Sequence, residues 1–297
     1  MSNNPPSTVL VTGATGNLGS KLIAHLLATD WCQAVIGIDR KGAGGQGSDR
    51  LEMIEADLTD LSDRAWREAM ERADAVVHLA AQNPAPDAPW GASADAFTMT
   101  ANLVGAALEA KVRRFVFASS NHVMGQYKDP PLAERIGPGL LTTDLAPGPG
   151  TSRPEGDRVV RDHAYAASKL FGERLCLSAA ALSGGRMSTV SVRIGWCQPG
   201  ENDPRTISAA GVAPKEGREV PQDGSDRDLT WFRNMWLSNR DYAALMEAAL
   251  VAPAEEWPAP GIVVNGMSAN RGMPWDIETT GRLIGYRAQD DIWAHLA

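Results

Sequence analysis

This sequence is poor in paired cysteines, in basic clusters and in long apolar runs. Its 297 residues hold three cysteines, Cys32, Cys176 and Cys197, too few and too scattered for a disulfide framework. The five histidines, His25, His78, His122, His163 and His295, pair neither with one another nor with cysteine at metal-ligand spacing, so no metal site is expected. Twenty-eight Lys and Arg stand against 36 Asp and Glu, a net charge of −8 with no Lys- or Arg-rich face. That excludes nucleic acid as an expected partner. Arg113-Arg114 precedes an apolar run and reads as a solvated strand entrance. No stretch approaches the ~20 apolar residues that span a bilayer. "MSNNPPST" is a polar, proline-bearing lead-in rather than a targeting segment. The expectation is a cytoplasmic protein of a reducing compartment, with no membrane partner.

What is present alternates. "TVLVTG", "AVIGID", "LEMIEAD", "DAVVHLA" and "RRFVFAS" are strand-like runs, separated by segments of helical period such as "NLGSKLIAHLLATD" and "LSDRAWREAMERA". A helix over 93–110 precedes the fifth strand. Another, at about 162–183, precedes a sixth, "STVSVRIG". Such alternation predicts βαβ units in an α/β fold, a Rossmann-type doubly wound parallel sheet with helices on both faces. Continuously apolar strands fit a sheet buried on both sides. Residues 126–160 and 197–228 break the rhythm and are rich in proline and glycine. Loops this long are more often functional lids than plain connectors. The tail adds a helix at "NRDYAALMEAALVA", a strand "GIVVNG" and a helical "WDIETTGRLIG". The expected organisation is a nucleotide-binding domain over 1–195, with a lid insertion at 126–160, and a small dependent substrate lobe over 196–297.

Three motifs carry chemistry. "TGATGNLG" puts Gly13, Gly16 and Gly19 where the first strand turns into a helix. The first glycine permits the tight turn, the second lets backbone approach a pyrophosphate, and the third lets helix and strand pack closely. The pyrophosphate would lie at the helix N-terminus, where free N–H groups favour an anion. An ordinary Gly-rich turn is the plainer alternative. Asp39 ends the second strand 20 residues after Gly19, the position of a carboxylate for the adenosine ribose, and so favours NAD over NADP. Arg40 beside it offers a phosphate partner. Asp57 and Leu58 form an edge suited to adenine, although Asp57 alone also suits a helix N-cap. "YAASK" sets Tyr165 and Lys169 one helical turn apart, so that the ammonium can lower the tyrosine pKa toward that of a base. Finally "FASSNHVMG" ends the fifth strand in two hydroxyls, a carboxamide and an imidazole, either a capped turn or the floor of a site for a hydroxylated molecule.

Together TGxxGxxG, "HLAA" after the fourth strand, Asn102, the serine after the fifth strand and YxxxK resemble the extended short-chain dehydrogenase/reductase superfamily. "FASSNHVMG", "VRIGWCQPGENDPR", "WLSNRDY" and "GMSANRGMPWD" look like the corresponding segments of the uronate dehydrogenase family. The resemblance spans the sheet and the tail. It implies NAD-dependent oxidation of the anomeric C1 hydroxyl of a hexuronate, galacturonate or glucuronate, to the lactone. It implies Ser120, Tyr165 and Lys169 as the catalytic trio. The cofactor residues implied are Gly13, Thr15, Gly16, Asn17, Leu18, Gly19, Asp39, Arg40, Asp57, Leu58, Leu79, Ala80, Ala81, Asn102, Ser119, Tyr165, Lys169 and Ile194. The sugar would meet Asn83, Ser120, Asn121, His122, Tyr165, Trp196 and Arg205, with the planar guanidinium fork of Arg205 clamping the C6 carboxylate.

This sequence departs from the family at two of these places. Trp196 stands where a small hydroxyl residue is usual, and Asn83 where serine is usual. The irregular segments also bring Arg153, Arg158, Lys215, Arg218 and Arg227 toward the pocket mouth. Extra cations would suit a phosphorylated or sulfonated sugar; charged lids facing water are the plain alternative. Dehydrogenation of another aldose and epimerisation of a sugar or sugar nucleotide therefore stay open beside the uronate reading, as does a non-catalytic nucleotide sensor. Members of the superfamily pair through the helices flanking the site, here 93–110 and 162–183, so a homo-oligomer, dimer or higher, is expected.

Overall fold

The computed structural model describes residues 5–41, 48–81, 90–212 and 224–297. Seven parallel strands form one sheet in the order β3-β2-β1-β4-β5-β8-β9. They are β1 (Thr8–Thr12), β2 (Ala34–Asp39), β3 (Leu51–Glu55), β4 (Ala75–His78), β5 (Arg114–Ser120), β8 (Ser188–Ile194) and β9 (Gly261–Gly266). The helices are α1 (Asn17–Ala28), α2 (Arg64–Glu71), α3 (Trp90–Glu109), α4 (His163–Leu182), α5 (Asp226–Asn234), α6 (Asn239–Val251), α7 (Glu278–Ile284) and α8 (Ile292–Leu296). No helix among the described residues is long and apolar enough to cross a membrane.

Strand alternation sorts the core into two faces. Val9, Val11, Val77, Val116, Val190 and Val192 point toward α1 and α6, against Leu22, Leu26, Tyr242, Leu245 and Ala249. Leu10, Ile36, Ile38, Val76, Phe115 and Phe117 point the other way, against Trp66 and Met70 of α2, Leu103 and Val104 of α3, and Cys176 and Ala179 of α4. With helices on both faces, the central strands are largely apolar, as the sequence predicts, and the polar residues they bury, such as Ser119 and Arg193, are paired. Strand order reverses beside β1, which lies between β2 and β4, and in doubly wound sheets ligands bind at such a point, outside the carboxyl ends of the strands. A third apolar cluster, around Met124, Trp231, Phe232, Trp236, Met267 and Trp275, joins the turn after β5 to the tail.

The structure is more regular than expected in both irregular segments. Within 126–160, β6 (Ser152–Glu155) and β7 (Arg158–Arg161) pair antiparallel, closing on Glu155 opposite Arg158. The Gly156-Asp157 link is a two-residue hairpin turn, with Gly156 at φ +56°. Polar strand residues hide that hairpin from a search for alternation. Ser152 donates to Asp129, and the buried Lys128 bridges to Asp228, so the hairpin is tied to α5. α5 itself is set by a capping box between Ser225 and Asp228.

Candidate active site

The turn after β1 has the geometry that its glycines imply. Gly13 sits at φ +68°, and a Cβ there would stand 2.9 Å from the Ala80 nitrogen. A Cβ on Gly19 would collide with the Gly13 carbonyl. Gly16 occupies the N-cap of α1, where no side chain closes the first turn. Those free N–H groups fit an anionic dinucleotide pyrophosphate. Asp39 is held beside the turn, its Oδ2 accepting from the Thr15 N–H at 3.0 Å and the Thr15 hydroxyl at 2.7 Å. Arg40 is exposed, and its N–H donates to Asp39 Oδ1 at 2.8 Å. Asn17 spends its amide on the Cys197 carbonyl at 2.9 Å, and the Leu18 carbonyl accepts from Tyr242.

The neighbouring loops are pinned by hidden polar groups. Thr12 Oγ1 accepts from the Leu79 and Ala80 N–H groups, both at 3.2 Å, and meets His78 Nδ1 at 2.8 Å. The other imidazole nitrogen meets Thr100 at 3.1 Å. Burial, aided by the Lys169 charge, pushes His78 down to about 3, so it stays neutral and acts as a strut. Ala81 is exposed at the end of that loop. Asn102 donates to the Leu58 carbonyl at 2.9 Å, which fixes the loop expected to hold adenine. Leu58 is buried in the core. Asp57 is exposed, but it caps a local turn at Thr59 and not a helix; the cap of α2 is Asp63.

At the carboxyl end of β5 the polar run parts into two sets. Ser119 turns from the crevice and donates to Glu173 at 2.5 Å. Glu173 in turn takes a bidentate pair from Arg193, at 2.8 and 2.9 Å. This buried trio joins β5, α4 and β8. Gly172 lets the same helix approach Phe117, because a Cβ there would run into the phenyl ring. Ser120 faces the other way, toward Tyr165, and its Oγ accepts the His122 N–H at 3.2 Å. Asn121 donates to the Ile194 carbonyl at 3.1 Å, bracing two strand ends, and its own oxygen has no partner among the described residues.

Tyr165 and Lys169 lie on α4, with Lys169 Nζ 5.6 Å from the phenol ring centre. The ammonium donates to the Ala118 carbonyl at 2.7 Å, and burial brings it down to about 8. The tyrosine differs from the sequence reading. Burial pushes its phenol up to about 12, against a lowering hydrogen bond from Ser120. Asp162 adds to the rise and Arg153 opposes it. The i,i+4 spacing sets the lysine beside the ring, not against its oxygen, so desolvation wins.

The remaining site residues fall in three places. His122 stands edge-on to Tyr165, with ring centres 5.7 Å apart, and its Nδ1 lies 2.5 Å from Asp162. Trp196 is partly buried against Phe232, and its backbone N–H donates to the Met235 carbonyl at 2.7 Å. Arg205 is 76 % exposed on a short turn, Pro204–Thr206. Its guanidinium is engaged by Asp203 at 2.7 and 2.9 Å and touches none of the other site residues described. Asn83, Lys215 and Arg218 lie outside the described residues; Arg158 and Arg227 are exposed. Sequence reasoning missed Asp162, Glu173 and Arg193. Only Asp162 carried a signal, an acid three residues before the tyrosine, which looks like any helix cap.

Comparison with known proteins follows this geometry. The NAD dependent epimerase/dehydratase family matches residues 9–259. The chain is 33% identical over 284 residues to the L-arabinose 1-dehydrogenase (NAD(P)(+)) of Haloferax volcanii, covering 95% of this chain and 96% of that one. It is 29% identical to the NAD-dependent glucose-6-phosphate dehydrogenase of the same organism, over 95% of this chain and 93% of that one. Among solved structures, a variant of the uronate dehydrogenase from Agrobacterium tumefaciens complexed with NAD superposes with a TM-score of 0.66 at 26% identity, over 97% of this chain and 86% of that one. The glycine turn, the open N-terminus of α1 and the Ser-Tyr-Lys set agree with that likeness. The chain belongs to the NAD-dependent epimerase/dehydratase family, on its extended short-chain dehydrogenase/reductase branch, and is an NAD-dependent enzyme acting on a CH–OH group.

Proposed function

We propose that this enzyme oxidises the anomeric C1 hydroxyl of an aldose to the lactone, and that its substrate is an acidic sugar of the hexuronate type. The observation that carries the reading is the meeting of Ser120, Tyr165 and Lys169 beside the strand-order switch point, where a dinucleotide bound at Gly13–Gly19 ends. Tyr165 takes the C1 hydroxyl proton, and Ser120 donates a hydrogen bond to the same oxygen. Lys169 holds the ribose next to the nicotinamide. NAD supplies the hydride acceptor. Because the phenol starts high, near 12, oxidation calls for alkaline conditions or for positive charge beside Tyr165. Asp39 takes the adenosine ribose hydroxyls and disfavours the additional phosphate of NADP.

His122, Trp196 and the Asn83 loop form the sugar side of the reading. For a uronate, Arg205 must exchange Asp203 for the C6 carboxylate. Its exposure and its pairing with Asp203 favour, as a second reading, an aldose without that carboxylate, neutral or phosphorylated. Two relatives are named for such sugars, arabinose and glucose 6-phosphate. The division into a nucleotide domain over 1–195 and a substrate lobe over 196–297 is part of the same proposal. So is pairing of two copies through α3 and α4, helices that meet within the chain at Phe97 and Phe171, tilted rings with centres 4.9 Å apart, with a monomer in sedimentation as the contrary result.

The test is NADH formation with galacturonate, glucuronate, their neutral parents, arabinose and glucose 6-phosphate. Turnover on the uronates, lost on Arg205→Gln through KM with kcat kept, supports the acidic-sugar reading. Turnover confined to neutral or phosphorylated sugars supports the second. No turnover on any sugar overturns both.

A further inference from the structure

Beside the trio lies a buried cluster that no part of the proposed chemistry has used. Asp162 occupies the N-cap position of α4 yet caps nothing in its own helix. A cap of the usual kind would accept an amide of the first helical turn. Here the carboxylate points elsewhere. Oδ1 accepts the Thr151 N–H at 2.6 Å. Oδ2 lies 2.5 Å from His122 Nδ1 and accepts from Arg153 Nη2 at 3.2 Å. Arg153 is only 6 % exposed, and its Nε has no partner among the described residues. The guanidinium arrives on β6, in the lid segment, and so brings the hairpin to the carboxylate at the start of the helix that carries Tyr165. Burying both charges is costly, and either one left alone would be severely destabilising.

We propose that Asp162 and Arg153 are positioning residues for Tyr165: Asp162 holds the His122 ring edge-on to the phenol, and Arg153 holds Asp162 and balances its charge. The proposal rests on Tyr165 being the base of the reaction above. The charged and titratable groups that face the phenol are His122 from the turn after β5, Arg153 from β6, and Asp162 and Lys169 from α4. Asp162 favours the neutral phenol and Arg153 the phenolate. Removing one or the other must therefore move Tyr165 in opposite directions, which a merely structural pair would not do.

The experiment follows Tyr165 ionisation in NAD-loaded enzyme by ultraviolet difference absorbance, wild type against Tyr165→Phe. The pH profile of kcat is recorded alongside it. Arg153→Gln should move both ionisations to alkaline pH by about one pH unit or more, with about a tenfold loss of kcat below the transition for each unit. Asp162→Asn should move them to acid pH, and Arg153→Lys should restore the wild-type profile. Shifts in the same direction, or no shift, would overturn the proposal. NAD affinity by fluorescence shows whether each variant has kept its fold. Should Arg153→Gln lose it, the contrast between Asp162→Asn and Arg153→Lys decides in the same way. If wild type turns over no sugar, the proposed function falls, while the absorbance titration still decides this proposal.

Discussion

The Glu173–Arg193 pair offers the sharpest test of how the site is held. Both side chains are 2 % exposed, and the pair is bidentate, at 2.8 and 2.9 Å. Ser119 adds a third bond to the same carboxylate. In bulk solvent such a pair would contribute little, but here each partner has given up its water. Arg193→Met leaves the carboxylate buried against a hydroxyl alone, and a broken buried pair costs about 3–5 kcal/mol. At about 2–4 °C per kcal/mol for a chain near this size, the melting temperature should drop by about 10 °C. The double variant Glu173→Leu/Arg193→Met removes both charges, and it should recover most of that loss. Urea unfolding with a double-mutant cycle reads the coupling directly. NAD affinity should weaken in the single variant, because the pair sets α4, and with it Lys169, against β5. A cost for Arg193→Met below about 1 kcal/mol would refute the claim that this pair anchors the helix of Tyr165 and Lys169.

Other consequences are as specific. Gly19→Ala should abolish NAD binding in calorimetry, because its methyl group collides with the backbone of Gly13 and not with a movable side chain. Gly172→Ala should cost about 1–3 kcal/mol and lower kcat, since Phe117 and α4 must part. His78 gives a pH signature with a definite sign. Its folded value is depressed from 6.5 to about 3, so below pH 6.5 the unfolded chain binds a proton that the folded chain refuses. Stability from this group is complete above 6.5 and is lost as pH falls, at up to about 1.4 kcal/mol per pH unit. Unfolding measured against pH should show that slope flattened in His78→Asn.

Much of this architecture could be read from the chain, for reasons that differ by element. Parallel strands buried on both faces are rich in apolar residues, and the glycine turn must have residues without Cβ where backbone meets backbone, so both leave marks in sequence. The β6–β7 hairpin left none, because its strands are short and polar, and only Gly156-Asp157 hinted at the turn. Tyr165 and Lys169 were legible as a spacing, whereas the phenol's high value was not. It depends on burial by segments distant in sequence. Arg205 is the opposite case: its type suits a carboxylate, and the fold pairs it with Asp203, two residues before it, a pairing the sequence alone does not announce. Asp162 and Arg153 were visible only as a helix cap and a loop cation until the fold placed Asp162 against His122 and Arg153 on Asp162.

The central claim is that Tyr165 is the proton acceptor in an NAD-dependent sugar oxidation, and Tyr165→Phe tests it most directly. Initial rates of NADH formation on the best sugar should fall by about 10²–10⁴-fold, with NAD affinity unchanged. Turnover at the wild-type rate in that variant would contradict the account.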